Sequence, residues 1–310
     1  MATSSRPAPA RNVLALFGPT ASGKTAVAGI LRTLLGADVV SADSAALYAG
    51  IPIITAAPPY PAHLVGVVPL TEDVSVGQYQ RLAHAVIDAA ALPLLVGGTG
   101  LYFRAALAAL ELPPPPDPER RAHWQEVVDG LGPEAAHDLL SRRDPAAAAR
   151  VHPNDRKRLV RALELAESGA SLAPAADRLW TDDTRLPTTT VALDLPLDEL
   201  DRRIEERTLA MAEAGARDEA RRAWKLPLSR TARKVLGLEQ FATLDERAAI
   251  EAVTQATRRL ARYQLKWLRR MPGVTTLAAN RPPEEIAAEI VSLERTGQRL
   301  PRHDRVADAR

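Results

Sequence analysis

The sequence contains no cysteine among its 310 residues, which excludes disulfides, thiolate-bound zinc and a cysteine nucleophile. Aromatic residues make up only 4%, so leucine, valine and alanine must fill a core, and 46% apolar residues suffice to form one. No apolar run approaches the roughly 20 residues of a membrane span. The residues before Arg11 also lack the apolar stretch of a secretory signal. We therefore expect a soluble, cytoplasmic protein that makes no membrane contact.

The net charge of only +2 conceals an uneven distribution of basic residues. Clustered lysine and arginine side chains can bind the phosphate backbone of a nucleic acid. They can equally form solvated helix faces, and composition alone leaves both interpretations open. The clusters lie at Arg156-Lys157-Arg158 with Arg161, at Arg230 with Arg233-Lys234, and at Arg258-Arg259, Arg262, Lys266 and Arg269-Arg270.

Short apolar segments alternate with helical patterns in the first half of the chain, a sequence typical of α/β proteins with a parallel, doubly wound sheet. From Leu197 onward the pattern predicts helices only. The predicted strands are 13–17, 37–42, 94–97 and 190–195, and the first predicted helix is 23–34.

Four consecutive prolines, Pro113 to Pro116, form a stiff spacer that cannot lie inside a helix. About 70 residues separate this spacer from the strand near residue 190, whereas a simple crossover needs about a dozen. The excess, mostly helical in pattern, predicts an insertion into the sheet domain. We predict a core of 1–116 plus 188–310, a helical insertion of 117–187, and disordered termini at 1–11 and 297–310.

Residues 18–25 fit the pattern G-x-x-x-x-G-K-[ST] between a predicted strand and a predicted helix. Such a loop points backbone N–H groups at phosphate oxygens, and the following helix N-terminus adds a positive dipole end. Lys24 suits a phosphate and the Thr25 hydroxyl suits Mg²⁺. The predicted phosphate-binding residues are Gly18, Pro19, Thr20, Ala21, Ser22, Gly23, Lys24 and Thr25.

Two further loops follow the next two predicted strands. Asp43 is suited to accept a proton or ligate Mg²⁺, or alternatively to cap a helix. Gly97 and Gly98 permit close approach to a ligand and Thr99 offers a hydroxyl, although a simple tight turn explains the same residues. Because ligands bind outside the carboxyl ends of parallel strands, we expect these loops and the phosphate loop to converge.

Five motifs occur together in this order: GPTASGKT, Asp43-Ser44 with Tyr48, VGGTGLY, VHPNDRKRLVRALE at 151–164 and ARYQLKWLRR at 261–270. Together they resemble the bacterial tRNA dimethylallyltransferase family. The resemblance implies a monomeric enzyme with a P-loop NTPase-like core. It would transfer a dimethylallyl group from dimethylallyl diphosphate to N6 of adenosine 37, in tRNAs that read codons beginning with U. Diphosphate would be released and Mg²⁺ would be the cofactor.

The resemblance also implies residue roles. Asp43 would be the general base at N6, Arg207 would support diphosphate departure, and Thr20 and Lys24 would hold the diphosphate with the rest of the loop. Thr99 would contact the flipped adenosine, and the insertion would bind the anticodon stem-loop. The implied tRNA-binding residues are Asp43, Ser44, Ala45, Ala46, Thr99, Lys157, Arg158, Leu159, Val160 and Arg161.

Two departures from the family pattern leave alternatives open. Ala46 stands where the family usually has glutamine, and Ala57 stands where it has lysine. Loss of a buried hydrogen-bond partner costs about 1–3 kcal/mol. These departures leave open a catalytically weakened tRNA-binding relative. A small-molecule P-loop kinase or NTPase and an enzyme that prenylates free adenine nucleotides are alternatives that do not depend on them.

Overall fold

A computed structural model describes residues 12–173 and 178–296. The predicted disordered termini, 1–11 and 297–310, lie outside the described residues. Five parallel strands form one sheet in the order β2-β3-β1-β4-β5, which confirms the predicted α/β fold with a P-loop-like parallel sheet. The strands are β1 (Val13–Phe17), β2 (Asp38–Ala42), β3 (Pro93–Gly97), β4 (Thr188–Asp194) and β5 (Val274–Ala278).

The register aligns the carboxyl ends of the central strands. Phe17, the last residue of β1, is paired with Gly97 of β3 and with Ala192 of β4, and Ala42 of β2 is paired with the same Gly97. Strands buried on both faces read as continuous apolar runs, and all five side chains of β1 are buried. This register brings the loops that follow β1, β2 and β3 to one edge of the sheet.

Strand β5 corrects the prediction that only helices follow Leu197. It pairs in parallel with β4 at the edge of the sheet. Gly273, with φ +66°, terminates the preceding turn in a left-handed conformation that suits glycine. The run Val274-Thr275-Thr276 then supplies the β-branched residues that favour a strand.

The described residues 12–109 and 179–296 form the first of two compact units. Helices flank its sheet, and no helix within the described residues is long and apolar enough to cross a membrane. A 3₁₀ turn covers Ala232–Lys234. The helices are α1 (Lys24–Leu35), α2 (Pro52–Thr55), α3 (Val76–Ala89), α4 (Gly100–Leu107), α9 (Leu197–Glu213), α10 (Ala216–Trp224), α11 (Leu238–Thr243), α12 (Glu246–Arg270) and α13 (Pro283–Thr296).

The second unit, Leu110–Arg178, is helical and has its own core. Trp124, Leu140 and Leu159 are buried at its centre. Asp155 accepts a hydrogen bond from the Arg158 N–H and caps the last helix, a position that aspartate favours. The helices are α5 (Pro118–Leu131), α6 (Pro133–Arg143), α7 (Pro145–Ala148) and α8 (Arg156–Glu167).

The limits of the helical unit differ from the predicted 117–187 at both ends. At the first end, the proline spacer belongs to the unit because the Arg161 guanidinium donates a hydrogen bond to the Pro114 carbonyl. The Asp117 N–H also donates to the carboxylate of Glu164, over 2.9 Å. The spacer is therefore bound to α8 rather than separating the two units.

At the other end, the residues after 178 pack on the sheet unit. The guanidinium of Arg104 on α4 donates to the carbonyl oxygens of Leu179 and Asp183, over 3.0 and 3.1 Å. The Arg185 N–H donates to the carbonyl of Leu107, over 2.7 Å. Arg104 is buried, so these bonds satisfy guanidinium N–H groups that burial removes from water.

Candidate active site

The loop between β1 and α1 has the backbone conformation of an anion-binding nest. Ala21 and Gly23 have φ values of +62° and +89°, and such left-handed residues turn successive N–H groups toward one point. The Lys24 ammonium donates to the Pro19 carbonyl over 2.6 Å, so it is folded back over the loop. Backbone amides, a lysine and a helix N-terminus thus surround the position where phosphate binds in such loops.

Gly18 is required where the loop leaves the sheet. A Cβ at this position would lie 2.8 Å from Oγ of Ser22 and 3.2 Å from the carbonyl oxygen of Leu193 in β4. The first contact would force the Ser22 hydroxyl to move, and the second would press on β4 backbone, which moves less easily. The glycine therefore allows the loop to close tightly against β4.

Two residues from the C-terminal helices fix the side of the loop that carries Thr20. Arg207 on α9 donates from Nη1 to Oγ1 of Thr20 over 2.7 Å. Gln264 on α12 accepts the Thr20 N–H at Oε1 over 2.8 Å. The sequence prediction included Arg207 but missed Gln264. Gln264 is buried on the helix face that also buries Ala261 and Leu268, and a polar residue on such a face was the available signal.

The charges of Lys24, Arg207 and Asp43 influence one another. The pKa of Lys24 is lowered to about 7, first by burial and then by the charge of Arg207, whereas the charge of Asp43 acts in the opposite direction. Burial also lowers the pKa of Arg207, and Asp43 again opposes the shift. Two cationic side chains thus share one carboxylate, and a bound anion would favour their charged forms.

Asp43 directly follows β2, at the edge where the three loops meet. Its Oδ1 accepts the N–H of Ala45 over 2.9 Å, and the residues after it form turns rather than a helix. Asp43 is therefore not a helix cap. Its Oδ2 has no hydrogen-bond partner in the part of the chain that the structure describes, which leaves that oxygen able to accept a proton from a substrate.

Thr99 joins the second and third loops. Its Oγ1 accepts the N–H of Ser44 over 3.2 Å, and its own N–H donates to the carbonyl oxygen of Ala42 over 3.3 Å. These bonds hold the turn that carries Asp43 against the amino end of α4. Thr99 therefore positions Asp43, in addition to the adenosine contact predicted from the sequence.

The glycines of the third loop approach protein atoms, which corrects the expectation that they make room for a ligand. A Cβ on Gly97 would lie 2.3 Å from the Ala42 carbonyl oxygen, and one on Gly98 would lie 2.5 Å from Nε2 of Gln264. A Cβ on Gly100 would lie 2.1 Å from the indole ring of Trp267. These glycines let β2 and α12 pack closely against the loop.

Two stacked tyrosines lie near Asp43, and one of them, Tyr79, is fully buried. The rings of Tyr79 and Tyr102 are stacked with centroids 4.3 Å apart, and the Tyr79 hydroxyl donates to the Ser41 carbonyl. The pKa of Tyr102 is raised to about 12 by burial and by the nearby Tyr48 and Asp43. Tyr102 thus remains a neutral phenol, suited to contact an apolar or planar group.

The residues after Asp43 differ in accessibility. Ser44 and Ala45 are half-buried, whereas Ala46 is only 5% exposed. The carbonyl of Ala46 accepts the Gly66 N–H over 2.8 Å, which ties this position to the protein interior. The predicted tRNA contact at Ala46 therefore has little side-chain surface available.

The predicted tRNA-binding residues of α8 divide into two groups. Lys157 and Arg158 are exposed, and Arg158 has an ion pair of 3.5 Å with Asp155. Leu159 and Val160, in contrast, are 0% and 2% exposed and belong to the core of the helical unit. Their predicted side-chain contact with tRNA is corrected, because α8 turns this face inward.

Arg161 also makes its contacts within the helical unit. Its Nη1 lies 2.6 Å from Oε1 of the buried Glu164, and its Nη2 binds the carbonyl of Pro114. Its side chain is only 14% exposed. In this structure the guanidinium joins α8 to the proline spacer, and a contact of Arg161 with tRNA stays a prediction.

Part of the basic cluster on α12 is paired within the sheet unit. Arg262 forms a bidentate pair with Asp201 on α9, and Arg258 lies 3.0 Å from Glu205. Arg270 stacks on Trp180, with its guanidinium carbon 3.7 Å from the ring centroid. These side chains hold α9 and the segment after residue 178 in place.

Comparison with known proteins identifies relatives over most of the chain. A family model described as IPP transferase matches residues 46–271. A tRNA dimethylallyltransferase of Kineococcus radiotolerans is 39% identical over 91% of this chain and 96% of its own length. Another from Streptomyces coelicolor is 41% identical over 87% of this chain and 91% of its own length.

Solved structures share the fold. The full-length tRNA isopentenylpyrophosphate transferase of Bacillus halodurans is 29% identical with a TM-score of 0.66, covering 92% of this chain and 96% of that one. A eukaryotic dimethylallyltransferase crystallised acting on tRNA is 21% identical with a TM-score of 0.75, covering 95% and 82% of the two chains. At that identity, the second match establishes similarity of fold alone.

Proposed function

The chain belongs to the IPP transferase family, and we propose that it transfers a dimethylallyl group from dimethylallyl diphosphate to N6 of adenosine 37 in tRNA. Relatives named tRNA dimethylallyltransferase over most of the chain length support this assignment. The observation that carries it is the convergence of three charged residues at the phosphate loop: Arg207 donates to Thr20, Lys24 donates to Pro19, and the charge of Asp43 acts on both cations. One carboxylate and two cations there match a reaction that removes a proton and releases an anion.

The transfer breaks the bond between the allylic carbon and diphosphate oxygen, and the bonding electron pair leaves with diphosphate. N6 is a weak nucleophile because its lone pair is delocalised into the ring, so leaving-group departure must be assisted. Lys24, Arg207 and the loop amides stabilise the developing charge on diphosphate. The bond from N6 to carbon then forms, and Asp43 accepts the N6 proton.

Magnesium fits this site as an ion held mainly by the substrate. The described residues contain no cluster of three or more histidine, cysteine, aspartate or glutamate side chains able to enclose a metal. Mg²⁺ commonly keeps several waters and binds substrate phosphates with one or two protein ligands. The exposed Thr25 at the start of α1 would supply a hydroxyl ligand. When bound, the ion would neutralise charge on the diphosphate.

The proposed macromolecular substrate is the anticodon stem-loop of tRNAs that read codons beginning with U. A base in an RNA loop must leave its stack to reach a site such as that of Asp43. Single-stranded loops are where proteins read RNA bases. The exposed Lys157 and Arg158 on α8 support backbone binding by the helical unit. A tRNA substrate also favours a cytoplasmic location.

Nucleoside mass spectrometry of tRNA from a strain that lacks this gene tests the function. We expect the mass of one dimethylallyl group to disappear from adenosine at position 37, and a plasmid copy of the gene to restore it. Retention of that modification in the deletion strain would overturn the proposal. Phosphorylation of a small molecule from ATP by the purified chain, without prenylation of tRNA, would favour a P-loop kinase.

A further inference from the structure

Helix α9 presents a second arginine to the phosphate loop. Arg203 lies one turn before Arg207 on the same face of the helix. The position that a Cβ on Gly23 would occupy is 3.8 Å from Nη1 of Arg203. Arg207 contacts Thr20 in the first half of the loop, whereas Arg203 lies beside the residue that opens α1. The two guanidinium groups therefore flank the loop at two different points.

Glu199 orients Arg203 through one edge of its guanidinium. Oε1 of Glu199 accepts a hydrogen bond from Nε of Arg203 over 2.7 Å. Nη1 and Nη2 make no hydrogen bond with any residue that the structure describes. The guanidinium is thus fixed at one nitrogen and keeps two nitrogens available, with Nη1 turned toward the phosphate loop.

Arg203 lies beside several positive groups, and its ion pair with Glu199 offsets part of their effect. The N-terminus of α1 carries a positive partial charge, and a cation near it is repelled. Lys24 and Arg207 add further positive charge to the same loop. A multiply charged anion in the nest would stabilise an arginine at this position. The guanidinium nitrogens can bind its phosphate oxygens in a fixed fork geometry.

We propose that Arg203 binds the phosphate group farther from the reacting carbon and so makes the site selective for diphosphate over monophosphate. This inference rests on the proposed function. Asp43 marks the side where the reacting carbon must lie, and its charge acts on Arg207. Arg203 lies four residues earlier on α9, about 6 Å away along the helix axis. Arg207 would therefore contact the phosphate group that is bonded to the reacting carbon, and Arg203 would contact the terminal phosphate group.

The test is calorimetric titration of the full-length chain with inorganic diphosphate and, separately, with inorganic phosphate at fixed magnesium concentration. We expect Arg203→Ala to weaken diphosphate binding about tenfold to a hundredfold, the range for a charged hydrogen bond. Phosphate binding should change less than about threefold, because one phosphate is held by the loop, Lys24 and Arg207. In turnover, the KM for dimethylallyl diphosphate should rise more than kcat falls.

Arg202→Ala is the matched control. Arg202 is the adjacent residue and pairs with the same Glu199, but its side chain is 56% exposed and also pairs with Glu206. We expect this variant to bind both anions like the wild type. Arg203→Lys, which keeps the charge but loses the fork, should recover part of the diphosphate affinity and guards against misfolding of the alanine variant.

Three results would contradict the inference. They are unchanged diphosphate binding by Arg203→Ala, an equal loss of affinity for diphosphate and phosphate, and an equal loss in Arg202→Ala. Each of these leaves the proposed function intact if the wild type binds diphosphate and prenylates tRNA. A wild-type chain that binds no diphosphate would instead overturn the proposed function together with the inference.

Discussion

Asp43 has one carboxylate oxygen bound to its own turn and a second oxygen available to a substrate. We predict that Asp43→Asn lowers the rate of prenyl transfer at least about a hundredfold, the effect of losing a general base. Asparagine keeps the bond to the Ala45 N–H, so tRNA affinity should change little. Single-turnover kinetics with labelled dimethylallyl diphosphate and a filter-binding assay with unmodified tRNA measure the two quantities.

The control for this variant is Asp38→Asn. Asp38 begins the strand that Asp43 follows, so it lies at the opposite end of β2, away from the phosphate loop. Its replacement should leave the transfer rate within a factor of about two of wild type, as surface substitutions rarely matter. A near-normal transfer rate in Asp43→Asn, or an equal loss of rate in both variants, would contradict the assignment of Asp43 as the general base.

Residue roles were predictable from motifs only where the motif specifies chemistry. The G-x-x-x-x-G-K-[ST] pattern located Lys24, and the aspartate after a strand located Asp43. Within RKRLVR, by contrast, the motif spacing did not reveal which side of the helix faces inward. Leu159 lies in the core of the helical unit and Arg161 binds Glu164, because burial depends on neighbouring helices that the motif does not contain.

At the scale of elements, the junction of β3 and α4 depends on close packing by α12. Gly100→Ala would place a methyl group 2.1 Å from the indole ring of Trp267. We predict that the free energy of unfolding falls by about 1–3 kcal/mol or more, the cost of overpacking. Urea unfolding followed by circular dichroism measures this change.

Gly130→Ala provides the matched comparison. Gly130 lies within α5, and a Cβ there meets nothing within 4 Å. Alanine should raise stability by about 0.5–1 kcal/mol, because glycine is unfavourable inside a helix. Equal stability of the Gly100→Ala variant and the wild type would show that the loop can move away from Trp267.

Most elements of the sheet could be predicted because β1 to β3 are short apolar runs buried between helices. Strand β5 was missed because its run VTTLA carries two threonines and is only partly buried, and because it follows a 25-residue helix. The packing of α12 against the glycines between β3 and α4 could also not be predicted from the sequence. It joins residues that are more than 150 positions apart, such as Gly100 and Trp267.

At the scale of the whole molecule, the helical unit should contribute salt-dependent affinity for tRNA. We predict that Arg158→Ala weakens tRNA binding and reduces the slope of log affinity against log salt by about 1, the effect of one lost phosphate contact. The exposure of Arg158 means that folding should be unaffected. Binding isotherms at several salt concentrations give the slope.

Arg161→Ala is the contrasting variant for this experiment. It leaves the buried carboxylate of Glu164 without its ion-pair partner, which costs about 3–5 kcal/mol of stability. We therefore expect this variant to lose tRNA affinity because part of the protein unfolds. For the protein that remains folded, the slope of log affinity against log salt should not change. An unchanged salt slope for Arg158→Ala would exclude that residue from the phosphate contacts.

The chain as a whole is proposed to couple release of an anion to modification of one adenine amine. The most direct measurement uses purified full-length protein, unmodified tRNA and dimethylallyl diphosphate, and quantifies diphosphate release and modified nucleoside in the same reaction. Our account predicts equal molar amounts of diphosphate and N6-dimethylallyladenosine, with all of the latter at position 37. Diphosphate release without modified adenosine, or attachment of the prenyl group at another atom, would contradict it.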